Sequence, residues 1–135
     1  MALPFLDTNI LLRHLRGDHP KLSPKATSII SRIEQGKLQA RISDTVIFET
    51  VFTLKRTYKV PKEKIAGALA PILELPGIVL PGKRRFRRVF DLYLSTNLGF
   101  ADCYHLVFMN QLKIKEILSF DTDFDELPGL IRREE

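Results

Sequence analysis

Short apolar runs of strand length alternate with longer stretches of helical periodicity along the whole of this 135-residue chain. A chain patterned this way is expected to be α/β with a mainly parallel sheet, because parallel strands need a crossover, usually a helix, between them. Strands are expected at residues 3–6, 38–42, 78–80 and 116–120, with an edge strand at Ile131. Pro4 is the one objection, since proline is poor inside a central strand. Between them, Thr8 can cap a short helix that stops at Gly17, and Ser23-Pro24 can open a second that ends at Gly36. Ser43 or Asp44 can cap a third, running to about residue 59, whose Ile47, Val51, Leu54 and Tyr58 share one face. Pro61 opens a fourth, which Pro71 should kink or split. Helices at 83–96 and 101–112 follow. The last is apolar nearly all round and therefore expected to be buried.

The length is that of one domain, and residues 1–135 read as a single unit with no repeat, low-complexity tract or linker. With 44% hydrophobic and 27% charged residues, the chain can bury one core and is not a disordered tail. No apolar run approaches the ~18 residues of a membrane span. The opening Met-Ala-Leu-Pro-Phe-Leu reaches Asp7 too early for a signal peptide and lacks a basic start. The one cysteine, Cys103, has no internal disulfide partner, so a reducing cytosol is the simplest setting.

Lys and Arg number 21 against 16 Asp and Glu, a formal charge of +5. In residues 83–88, Lys83, Arg84, Arg85, Arg87 and Arg88 surround a lone Phe86. Asp121, Asp123, Asp125 and Glu126 crowd together later. A basic surface around an acidic, metal-neutralised pocket suits a phosphodiester backbone. The plainer reading of 83–88 is a solvated helix face.

Sites in parallel α/β sheets form at the carboxyl ends of strands. Asp7 and Asp121 each follow an expected strand. Asp102 opens the expected buried helix, and Glu49 lies in a helix otherwise rich in Val, Ile and Phe. Carboxylates gathered together repel, and a divalent cation removes that cost; oxygen-only ligands suit Mg²⁺ or Mn²⁺. Each acid also has a plainer role. Asp7 and Asp102 can be helix caps, Asp121 can start a turn, and Glu49 points away from the Ile47/Val51/Leu54 face as a solvated side chain would. Other signals are weak. Gly77 to Lys83 matches the opening of a G-x-x-x-x-G-K phosphate loop, but Arg84 replaces the required hydroxyl and the intervening residues look like a strand. His14 and His19 read as surface residues, His105 as a core histidine or a partner of Asp102, and Cys103 as small core filling.

Taken together, these residues resemble the PIN-domain ribonucleases, and most of all the VapC-type toxins of prokaryotic toxin–antitoxin pairs, over nearly the whole chain. Leu6-Asp7-Thr8-Asn9-Ile10-Leu11-Leu12 resembles the opening motif. Ser43 through Glu49-Thr50 resembles the second acidic motif, and Phe100-Ala101-Asp102-Cys103-Tyr104-His105 the third. Ser119-Phe120-Asp121 with Asp123-Phe124 resembles the fourth, with serine where threonine is commoner. The resemblance implies a three-layer α/β/α sandwich and a metal-dependent endoribonuclease. Asp7, Glu49, Asp102 and Asp121 would surround Mg²⁺ or Mn²⁺. Asn9 and Ser119 would support the acids, and Asp123 would be an extra ligand or neighbour. Lys83–Arg88 is the candidate RNA contact. The resemblance also implies a homodimer and a cognate antitoxin that blocks the acids.

Three other readings stay open. A stand-alone RNA-processing nuclease would use the same chemistry. A non-catalytic module would bind RNA or protein alone. A dehalogenase-like phosphatase would need Asp-x-Asp where this chain has Asp7-Thr8-Asn9, and Asn9 cannot act as a general acid.

Overall fold

A computed structural model describes residues 2–135. The chain gathers into two compact units, one ending at Arg84 and the other spanning Arg85–Glu135.

In the first unit, β1 (Ala40–Arg41) pairs parallel with β2 (Ile78–Val79), with Ala40 opposite Ile78. The amides of Ala40 and Ile42 donate to Gly77 and Val79, whereas the Arg41 amide donates to Pro4 on the other side. The expected strand at 3–6 is therefore present only as a single parallel bridge, Phe5 to Arg41, with the Leu6 amide returning a bond to the Arg41 carbonyl. Pro4 takes part through its carbonyl, the one ladder group it retains.

Four helices belong to this unit: α1 (Thr8–Arg16), α2 (Leu22–Glu34), α3 (Asp44–Arg56) and α4 (Lys62–Leu73). Gly17 ends α1 at φ 64°, a left-handed conformation that glycine adopts without strain. Asp7, not Thr8, holds the position before α1. Ser23 does not cap α2 as expected. His19 Nδ1 accepts from the Lys21 and Leu22 amides, and Ser23 staples the α1–α2 turn by donating to the Arg13 carbonyl at 2.7 Å. Ser43 does cap α3, accepting from the Val46 amide. Ile47, Val51 and Leu54 of α3 are buried as their spacing requires, while Tyr58 lies beyond the helix end. Pro71 does not split α4. It falls in the last turn, where the bond it forfeits is to the exposed Gly67, whose carbonyl water can reach. At Gly77 a Cβ would lie 2.8 Å from Ile33 Cγ2 and 2.9 Å from the Leu38 carbonyl oxygen, so this glycine is required for close packing, not for a phosphate.

The second unit holds α5 (Arg85–Ser95), α6 (Phe100–Gln111), β3 (Glu116–Leu118), a 3₁₀ turn (Thr122–Glu126) and β4 (Ile131–Arg133). Phe100 sits at the centre of its aromatic core. The ring centroids of Phe90, Tyr93 and Phe86 lie 5.1, 5.4 and 6.3 Å from it. β3 pairs parallel with β4, with Ile117 opposite Arg132. The expectation that α6 is buried all round does not hold. Phe100, Cys103, Val107 and Met109 are covered, but Phe108 is about half exposed and Leu112 more so. Its apolar character exceeds the surface that α5 can cover. All strand pairing among the described residues is parallel, in keeping with an α/β chain. Among them no helix is long and apolar enough to cross a membrane.

Two groups in the first unit generate predictions. His14 Nδ1 meets Thr27 Oγ1 at 2.9 Å, and burial pushes its imidazole below the usual histidine range, with Glu34 opposing. The unfolded chain then binds the extra proton first, so stability is full above about pH 6.5 and falls as the pH drops from there toward the folded value. Thermal unfolding at pH 7.5 and 5.5 should show a smaller acid-induced drop in Tm for His14→Gln than for wild type. Lys83 Nζ donates to the carbonyls of Leu75 (2.8 Å) and Ile78 (2.7 Å) and clips the turn into β2. Lys83→Met should cost about 1–2 kcal/mol in denaturant unfolding, discounted because the side chain is only half-buried.

Candidate active site

The extended segment that carries Phe5 and Leu6 delivers Asp7 to the start of α1. Its carbonyl accepts from the Ile10 amide, but its carboxylate makes no capping bond. The side chain is exposed, so the capping role is not how it is used. The adjacent Thr8 is buried, and its hydroxyl donates to Glu49 Oε1 at 3.4 Å. Glu49 is exposed, as its position off the buried face of α3 required, yet one oxygen is directed to the Asp7-Thr8 corner. The structure thus joins the first and second motifs across 41 residues. Asn9 is exposed on the same first turn.

In the second unit Asp102 lies in the first turn of α6, where the helix dipole favours a carboxylate. Gly99 holds the cap position, so Asp102 is not a cap. Its carboxyl is pushed above the usual aspartate range, first by burial, then by the charges of Asp121 and Asp123, with His105 pulling the other way. His105 itself is exposed, not a core residue, while Cys103 is fully covered.

The loop after β3 is held by a chain of short bonds. The Asp121 amide donates to Ser119 Oγ at 3.0 Å, and Asp121 Oδ1 accepts from the Asp123 amide at 2.9 Å. Asp121 therefore starts a turn, and it also charges the surroundings of Asp102; the two readings are not exclusive. Asp125 belongs elsewhere: Arg132 Nε and Nη2 grip its two oxygens at 2.8 and 3.2 Å, which holds its carboxyl below the usual range.

The basic run is not uniform. Lys83 turns into the backbone carbonyls described above, and the Arg85 guanidinium lies over the rings of Phe86 and Tyr104. Arg84, Arg87 and Arg88 are exposed. Thr8 had been read only as a helix cap, and Arg132 had not been singled out from the sequence. The only sign of Arg132 was a basic pair following the acidic loop.

Among the described residues no group of three or more His, Cys, Asp or Glu side chains is gathered as a metal-holding cluster. The donor chemistry nonetheless fits a hard divalent cation. All the candidate ligands are carboxylate oxygens, and Asp102 bears burial and negative neighbours that a cation would offset.

Comparison with known proteins identifies the family. The family model of the PIN domain matches residues 5–130, a span that contains all four candidate acids. The VapC ribonuclease of Aquifex aeolicus (strain VF5) is 30% identical over 127 residues, covering 93% of this chain and 92% of that protein. An α/β chain with parallel pairing, matched by one family model through both of its units, belongs to the PIN-domain family.

Proposed function

We propose that this chain is a metal-dependent endoribonuclease and the toxin of a toxin–antitoxin pair, acting in the cytoplasm as a homodimer under the control of a cognate antitoxin. The similarity to a VapC ribonuclease along almost the full length of both chains supports this reading. One observation carries the chemistry: Asp102 is half-buried among like charges, the situation that a divalent cation resolves. The match of a single model across residues 5–130 supports treating 1–135 as one nuclease domain.

In this reading Asp7, Glu49, Asp102 and Asp121 are the catalytic and metal-binding acids, with Mg²⁺ or Mn²⁺ as the ion. When bound, such an ion makes a water more acidic and stabilises charge on phosphoryl oxygens. The protein's own residues fix the geometry. Thr8 directs one oxygen of Glu49, and Ser119 holds the backbone of Asp121. Asp123 restrains the Asp121 carboxylate through its amide. Asn9 supports the first motif. Arg84, Arg87 and Arg88 contact RNA phosphates. Arg85, over its aromatic rings, completes the basic surface, and Lys83 serves the fold more than the RNA.

Two experiments test this. Purified protein incubated with end-labelled RNA should yield discrete fragments with Mg²⁺ or Mn²⁺ and none with EDTA. Asp102→Asn should cut at least about 100-fold more slowly while remaining folded. Wild-type cutting by that variant would sink the mechanism. Separately, Arg84→Ala and Arg88→Ala should each weaken single-stranded RNA binding and lower its salt dependence by about 0.7 in the log–log slope. Lys83→Met should leave that slope nearly unchanged.

A further inference from the structure

Arg132 lies on β4, opposite Ile117 of β3, with its side chain only 15% exposed. Its guanidinium makes a fork to Asp125 through Nε (2.8 Å) and Nη2 (3.2 Å). Nη1 donates to the Ser119 carbonyl at 3.0 Å and to Glu134 Oε1 at 2.7 Å. One planar group thereby ties both ends of the segment that carries Asp121: Ser119 before it and Asp125 after it. The Ser119 amide is held independently by the Arg133 carbonyl at 3.0 Å. Within this bracket, Ser119 Oγ accepts the Asp121 amide.

The arrangement is poorly explained as a stabilising device. Asp125 and Glu134 are largely exposed, and ion pairs to exposed acids contribute little to stability. Its distinctive property is direction. A guanidinium presents its donors in a rigid plane, so it fixes the angle between the two ends of the loop as an ammonium cannot. The charges also divide: Asp125 shares the Arg132 guanidinium with Glu134, whereas Asp121 and Asp123 are the acids of this loop whose charge acts on Asp102.

We infer that Arg132 is a positioning residue, which brackets the Ser119–Asp125 loop so that the Asp121 carboxylate is presented in one orientation to a divalent cation. This deepens the nuclease reading and rests on it. The C-terminal strand is then part of the working apparatus, since β4 supplies both the pairing that holds β3 and the side chain that sets the loop beyond it.

The test is a titration of the full chain with Mn²⁺ alone, reading free aquo-Mn²⁺ by electron paramagnetic resonance. Arg132→Gln should raise the Kd about 10- to 100-fold, the usual effect of removing a group that orients a ligand. Arg132→Lys should not restore it. Asp125→Asn, which keeps the Ser119 contact and the strand pairing, should give a smaller rise in the same direction and serves as the control if Arg132→Gln does not fold. Unchanged Kd in Asp125→Asn and in a folded Arg132 variant, beside a wild type that binds, would overturn the role of Arg132 alone. No binding by the wild type would overturn the metal-dependent reading beneath it.

Discussion

Negative charge brought near a half-buried carboxylate is the constraint around which this chain is organised. Asp102, in the first turn of α6, is partly shielded from water, and Asp121 and Asp123 add charge of the same sign. Removing a carboxylate from water and setting others beside it both favour its neutral form. In the proposed reading a divalent cation offsets that cost. The helix dipole and His105 offset part of the cost, but both are weak beside a doubly charged ion. The loop after β3 holds Asp121 at both levels, its amide on Ser119 Oγ and its carboxylate Oδ1 under the Asp123 amide.

The same economy appears in the first unit. Asp7 follows an extended segment whose ladder is reduced to one bridge by Pro4, yet the bridge is enough to place the start of α1. Thr8 then uses a buried hydroxyl to reach Glu49. Neither acid is part of the core, and neither caps a helix. Their neighbours, not they, carry the structural work: Thr8 below Asp7, and Val46, Ile47 and Thr50 around Glu49. Cationic residues divide in the same manner. Lys83 and Arg132 are committed to backbone and carboxylate oxygens, while Arg84 and Arg88 are exposed.

Local patterns were legible where a nearest-neighbour rule sets the outcome. The spacing of Ile47, Val51 and Leu54 marked a buried face, Ser43 marked a cap, and Gly17 marked an end. A strand at Ile131 was anticipated as well, though not its pairing with the strand after α6. Legibility failed where a residue's partner is distant or where burial depends on what another element can cover. The apolar circumference of α6 suggested full burial, but Phe108 and Leu112 are only about half covered. Ser23 looked like a cap and became a staple between two helices, because His19 reached the amides first.

By itself the sequence determined the alternation of strand and helix, the faces that leave water, and the order of four acids along the chain. Periodicity and capping are properties of residues a few positions apart, so they are written locally. Tertiary structure alone decided that Thr8 meets Glu49, that Lys83 turns inward, and that Asp125 is taken by Arg132 while Asp121 is left to Asp102. A string of charges gives their number and sign. Which of them are neutralised depends on distances of a few ångströms between side chains, and only the folded backbone sets those.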